Sequence, residues 1–94
     1  MNTNSKHWFF TWNADEKGKL PPALKIQEKL NKIAAEAVFQ LEVGKTTGRE
    51  HYQGRFKLLT RKSKRALLEI FSEIFETSNL TLQVEIAYDS SNRN

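Results

Sequence analysis

The stretch Glu42-Val-Gly-Lys-Thr-Thr-Gly-Arg-Glu-His-Tyr-Gln-Gly-Arg-Phe-Lys57 constrains the fold more than any other part of the chain. On either side of Gly44 to Gly48 the side chains alternate in polarity, and the segment between is rich in turn formers. Alternation at a period of two, broken by glycine and threonine, is the pattern of two strands and a connecting loop. It predicts a β-hairpin with strands over Val38 to Val43 and His51 to Leu58, and it fixes which side chains share a face.

Residues two apart in a strand point the same way. Phe39, Leu41 and Val43 therefore share one face of the first strand, and Gln40 and Glu42 the other. In the second strand Tyr52, Phe56 and Leu58 oppose His51, Gln53, Arg55 and Lys57. If the apolar sets form one core, Glu42, His51 and Gln53 converge on the outer face. A carboxylate, an imidazole and an amide oxygen suit a hard or borderline divalent ion such as Mg²⁺ or Mn²⁺ better than a structural zinc. Three ligands leave coordination positions open, which is what a cation needs to polarise a phosphate oxygen. On pattern alone the bland reading also stands, because a His beside a Gln on a strand is more often a solvated surface pair.

The rest of the chain supplies partners for this hairpin. From His7 to Asn13 the residues Trp8, Phe10 and Trp12 alternate with His7, Phe9, Thr11 and Asn13, a strand with one strongly apolar face. Pro21-Pro22 opens a helix expected over residues 22 to 36, its stripe made by Ile26, Leu30, Ile33 and Ala37, with Lys25, Lys29 and Lys32 on a solvated face. A second helix is expected over Thr60 to Glu76, with Leu67, Ile70, Phe71, Ile74 and Phe75 as its stripe. After a turn at Ser78 and Asn79, Leu80, Leu82, Val84 and Ile86 alternate in a last strand, and a polar tail from Ala87 to Asn94 adds no evident core residue. Met1 to Asn94 thus reads as one domain, near the small end of what folds on its own core. The order β-α-β-β-α-β implies an α+β, ferredoxin-like fold, an antiparallel sheet with both helices on one face and a polar face left open.

Charge narrows the partner. Lys and Arg outnumber Asp and Glu by 15 to 11, and the pI is near 9.5, which favours a polyanion. Arg55, Lys57, Arg61, Lys62, Lys64 and Arg65 crowd together with no acid among them. Arg61, Lys62, Lys64 and Arg65 fall at the start of the second helix and Glu69, Glu73 and Glu76 toward its end. This is the reverse of the order that the helix dipole favours, which is easier to rationalise if the basic end meets phosphate. The chain has no cysteine, which excludes disulfide scaffolds and thiolate metal modules. No apolar run reaches membrane-spanning length and no signal-peptide core is present, so an intracellular protein is expected.

Two runs resemble a known family. Gln40-Leu-Glu-Val-Gly44 followed by Thr47-Gly-Arg-Glu-His-Tyr-Gln-Gly54 is similar to the second motif of the replication initiator (Rep) proteins of small circular single-stranded DNA viruses and related plasmids, which belong to the HUH endonucleases. In the circovirus-like branch the second His of the superfamily pair is Gln, as in His51-x-Gln53-Gly54 here. Phe10-Thr11-Trp12-Asn13 resembles the first Rep motif, with Trp12 in place of Leu and Ala14 in place of the second Asn. The resemblance implies a ferredoxin-like nuclease domain holding Mn²⁺ or Mg²⁺ on Glu42, His51 and Gln53. It implies a single-stranded origin stem-loop as partner, contacted by Thr11, Asn13 and the six basic residues above, and action in the host nucleus for members from eukaryotic viruses. Full-length members can oligomerise through regions beyond this domain.

In that family a tyrosine in a Tyr-x-x-Lys motif attacks the scissile phosphate and stays linked to the DNA 5′ end. Of the two tyrosines here, Tyr52 points into the core by alternation, and Tyr88 is followed by Asp89-Ser90-Ser91 without the lysine. Tyr88 is thus a weak candidate. By the resemblance, the nucleophilic tyrosine is expected beyond Asn94, in a longer initiator of which these residues are a piece without the helicase domain. Such a piece is expected to bind metal and DNA without cutting. Two other functions share the element order. One is a non-catalytic RRM-like module for single-stranded RNA, against which the charged and polar face from His51 to Lys57 speaks, since it offers mainly Phe9 for stacking. The other is a metal-independent protein-interaction domain, for which the Glu42, His51 and Gln53 set would be coincidence.

Overall fold

The computed structural model describes residues 4–46, 48–74 and 81–87. Its elements are β1 (Ser5–Asn13), α1 (Ala23–Ile33), β2 (Ala34–Val43), β3 (Glu50–Lys62), α2 (Lys64–Ser72) and β4 (Leu82–Ile86). The four strands form one antiparallel sheet in the order β2-β3-β1-β4, so this is an α+β domain compatible with a ferredoxin-like plan.

The alternation read from the sequence places the core, except at the far end of β2, where Leu41 and Val43, expected in it, are 50% and 58% exposed. Trp8, Phe10 and Trp12 on β1 stand opposite Phe56, Gly54 and Tyr52 on β3 and opposite Ile86, Val84 and Leu82 on β4. Ile26 and Leu30 of α1 and Leu67 and Phe71 of α2 close over the same cluster, so both helices cover one face. Aromatic rings supply much of the contact, with Trp12 edge-on to Phe71 at 5.8 Å and Phe39 edge-on to Tyr52 at 5.6 Å. The indole N–H of Trp12 donates to Thr81 Oγ1 and that of Trp8 to the Ser5 carbonyl, so neither buried ring carries an unpaired donor.

β1 starts at Ser5 rather than at His7, and the element boundaries correct the sequence reading in two further places. α1 ends at Ile33 rather than at residue 36, and β2 starts at Ala34 rather than at Val38. Ala34, Ala35, Glu36 and Ala37 are good helix formers, yet pairing with β3 recruits them into the strand, with Ala37 opposite Phe56. Tertiary pairing outweighs a propensity of a few tenths of a kcal/mol per residue. Likewise β3 runs to Lys62, so α2 begins at Lys64 and not at Thr60. Ser63 sets that start: its hydroxyl accepts from the Ala66 N–H at 3.1 Å as an N-cap. The expected helix end at Phe75 and Glu76, the turn at Ser78 and Asn79, Leu80, and the polar tail from Tyr88 to Asn94 all lie outside the described residues.

One cross-link ties the helices to each other and a second ties a loop to the sheet. Lys29 does not stay on a solvated face as expected; its Nζ donates to Glu73 Oε1 at 2.6 Å and joins α1 to the end of α2. This contact holds the Glu73 carboxyl below its ordinary range. Tyr52 donates through its hydroxyl to the Pro21 carbonyl at 3.1 Å, under the loop that leads into α1.

Burial first, and the charge of Glu50 second, push the Tyr52 phenol above its ordinary value of 10.0. The folded state therefore prefers the neutral phenol more than the unfolded chain does. The stabilisation is complete below the unfolded value and is lost as pH rises through the folded one. Urea unfolding across roughly pH 9–11 is expected to show stability falling with pH, and Tyr52→Phe is expected to flatten that fall.

Candidate metal centre on the open sheet face

The face away from the helices carries the polar sets of all four strands. Register brings Glu42 on β2 directly opposite His51 on β3, and His51 directly opposite Asn13 on β1. One step along, Gln40, Gln53, Thr11 and Gln83 form the next row across the sheet. The division between faces that parity predicts is the one the register shows.

The geometry at the Glu42 and His51 pair is specific. His51 Nε2 lies 3.3 Å from Glu42 Oε1, with both side chains partly buried. Two neighbouring ligands of an octahedral ion, each about 2.1 Å from it, stand about 3.0 Å apart. The separation is that of a hydrogen bond between the two side chains, and it is also close to the spacing that one small divalent cation would impose. The other carboxylate oxygen, Oε2, accepts from Gln40 Nε2 at 2.8 Å, which orients the carboxylate from outside the pair.

Gln53 sits two residues beyond His51 on the same face, its Cα about 7 Å along the strand. Its amide forms no hydrogen bond with another described residue, so the oxygen is available to turn toward the pair. Among the described residues no group of three or more His, Cys, Asp and Glu could hold a metal ion. Glu42 and His51 are the only residues of those types in the candidate set; with the Gln53 amide they would make an oxygen-rich donor set of the kind that suits Mg²⁺ or Mn²⁺ better than a structural zinc.

Gly54, the glycine that follows Gln53, has a role at the level of packing. It faces the core between Phe10 and Phe39, whose rings meet at 5.8 Å. A Cβ built there would overlap the Val38 carbonyl oxygen and the Phe39 side chain and stand 2.6 Å from the Phe39 Cα. The motif glycine thus lets β2 and β3 approach closely next to the candidate ligands.

The basic residues do not form the single group that their crowding in sequence implies. Arg55 and Lys57 are on the open face, Arg55 opposite Phe9 and Val38, and Lys57 opposite His7 and Glu36. Arg61 and Lys62 end β3 beyond a register irregularity and are not part of α2. Lys64 and Arg65 occupy the first turn of α2, where no acid precedes them, and line a cleft between α2 and β4 with Trp8 and Val84. Arg65 also reaches Glu69 at 3.8 Å, a solvent-exposed pair of little energetic weight. The reversed charge order at the helix start persists, carried by two residues instead of four.

Sequence reading missed the contact between Gln40 and Glu42 and the place of Asn13 across from His51. Parity alone put these residues on one face, but only strand register makes them neighbours, and register across β1 and β3 leaves no local signature. Tyr88, the weak candidate for a nucleophile, and Asn94, beyond which the resemblance places the family's tyrosine, are outside the described residues. No described helix is long and apolar enough to cross a membrane. No family model and no curated protein matches this sequence.

Proposed function

We propose that this chain is a cation-holding, single-strand-binding domain of the Rep type, a ferredoxin-like HUH nuclease domain whose open sheet face receives origin DNA. The observation that carries this reading is the 3.3 Å approach of His51 Nε2 to Glu42 Oε1 on that face, with Gln53 beside it. A bound Mn²⁺ or Mg²⁺ would polarise a phosphate oxygen there. Glu42 and His51 would fix its position, Gln40 would hold the carboxylate, and Arg55 and Lys57 would draw the phosphate backbone along β3. In a longer protein of this type, with its nucleophile beyond Asn94, a tyrosine hydroxyl attacks the scissile phosphorus, a 5′-phosphotyrosine forms, and the 3′ oxygen leaves.

Calorimetric titration with Mn²⁺ tests the reading at its foundation. One ion per chain is expected, together with tighter binding of a single-stranded stem-loop than of the corresponding duplex and an affinity that falls steeply with salt. A titration without measurable heat of binding removes the cation from the account. A second reading, a non-catalytic module for single-stranded RNA, draws on the 49% exposure of Phe9 on the same face. It requires no cation, so the same titration separates the two.

A further inference from the structure

At the end of the open face remote from Glu42 and His51 lies a shallow depression of about 540 Å³. It is lined among others by His7, Phe9, Val38, Arg55, Lys57 and Glu36. We propose that this depression is a nucleotide subsite, in which one base of a single strand stacks on Phe9 and its phosphate is held by Arg55 and Lys57.

The first argument is the position of Phe9. β1 is an inner strand, and Phe9 leaves it on the side opposite the core, 49% exposed between Arg55 on β3 and Glu85 on β4. Single exposed apolar residues need no explanation. Here, however, the ring is followed across the sheet by Arg55 and then by Val38, itself 59% exposed. An aromatic face, a guanidinium and a branched aliphatic side chain in one row make an apolar floor with a cation at its centre. A base offers a flat π-face to such a floor whatever its sequence, and its phosphate offers the counter-charge that Arg55 lacks.

The second argument is the pattern of charge. Arg55 and Lys57 form no ion pair with another described residue. They stand on β3 with Glu36 across from Lys57 on β2 and Glu85 across from Phe9 on β4. The cationic track is therefore one strand wide with carboxylates on both sides. Such a track admits one phosphate backbone and repels the second backbone of a duplex. The volume is of the size that holds a small ligand. The rows of Phe9 and Asn13 are four residues apart on β1, about 13 Å, so a single short oligonucleotide spans both the subsite and the candidate cation.

The subsite rests on reading the open face as a platform for a single strand, but it does not depend on the cation. It is tested by fluorescence anisotropy with labelled oligodeoxyuridylate and oligouridylate, which share a base and differ only in the sugar, in the presence of a chelator. Stacking of one base on an aromatic side chain corresponds to a loss of about 5- to 150-fold in affinity on truncation. Phe9→Ala is expected to weaken binding by that factor without changing the salt slope, and Phe9→Trp to restore it. Arg55→Gln is expected to lower the salt slope by about one. An oligomer of abasic sugar-phosphate units should bind wild type and Phe9→Ala alike.

Failure of the wild type to bind either oligomer, or equal binding by Phe9→Ala and wild type, would overturn the subsite. So would a loss in Phe9→Ala that persists undiminished on the abasic strand, since that loss could not come from stacking. The strand that shows the larger loss identifies the sugar for which the subsite is built. Equal binding by Phe9→Ala and wild type ends the subsite alone, whereas failure of the wild type to bind any single strand ends the single-strand reading with it. The Mn²⁺ titration, which contains no nucleic acid, judges the cation separately.

Discussion

Replacing His51 with alanine is expected to reduce Mn²⁺ affinity by at least about 100-fold, because groups that merely orient metal ligands already cost roughly 10- to 100-fold when removed. The same substitution should hardly alter the stability of the cation-free protein. His51 is partly exposed, and its 3.3 Å pairing with Glu42 is open to solvent on one side. Such pairs contribute about 0–1 kcal/mol. The separation of these two effects gives the experiment its force. At a Mn²⁺ concentration about a hundred times the dissociation constant, the wild type gains about 2.7 kcal/mol. For a domain of this size that corresponds to a rise of roughly 10–20 °C in midpoint temperature.

Thermal unfolding with and without Mn²⁺ should therefore show a large shift in the wild type and no more than about 3 °C in His51→Ala at the same concentration, where a 100-fold weaker site retains only about 0.4 kcal/mol. Gln53→Ala should retain part of the shift, because a neutral amide oxygen adds less than an imidazole or a carboxylate. Glu42→Gln preserves shape while removing charge, and should lose as much as His51→Ala. An equal Mn²⁺ shift in wild type and His51→Ala would place any bound ion elsewhere.

The parts of this site that the sequence made legible are those governed by period. Alternation along β3 assigns Tyr52, Phe56 and Leu58 to the core and His51, Gln53, Arg55 and Lys57 to the open face, and the structure keeps that division. Side-chain direction in a strand is a local property, so a local pattern reveals it. What stayed hidden depends on pairing between distant segments. Nothing in Ala34-Ala35-Glu36-Ala37 announces a strand, because its preference for helix is overruled by pairing with β3. Arg61 and Lys62 read as the start of a helix because their neighbours in sequence do, whereas Ser63 caps the helix after them. The row Phe9, Arg55, Val38 draws on three strands and so could not be assembled from any one of them.

Gly54→Ala is the substitution expected to damage the fold most for the fewest atoms added. Adding a methyl group to a packed core ordinarily costs about 1–3 kcal/mol, because nearby side chains can shift. Here the obstruction is main chain: the new Cβ would overlap the Val38 carbonyl oxygen and lie 2.6 Å from the Phe39 Cα. Relief requires β2 to move away from β3, and β2 is an edge strand held to the sheet only through β3. That movement would part Phe39 from Phe10 and Tyr52 and slide Glu42 away from His51. A destabilisation at or above the upper end of that range, about 3 kcal/mol, is a large fraction of the roughly 5–15 kcal/mol that stabilises an ordinary domain. Urea unfolding should show it as a midpoint shift, and Mn²⁺ binding should weaken even though no proposed ligand has been altered. A Gly54→Ala protein with wild-type stability would mean that β2 and β3 are not as close as this register requires, and the spacing of Glu42 and His51 would fall with it.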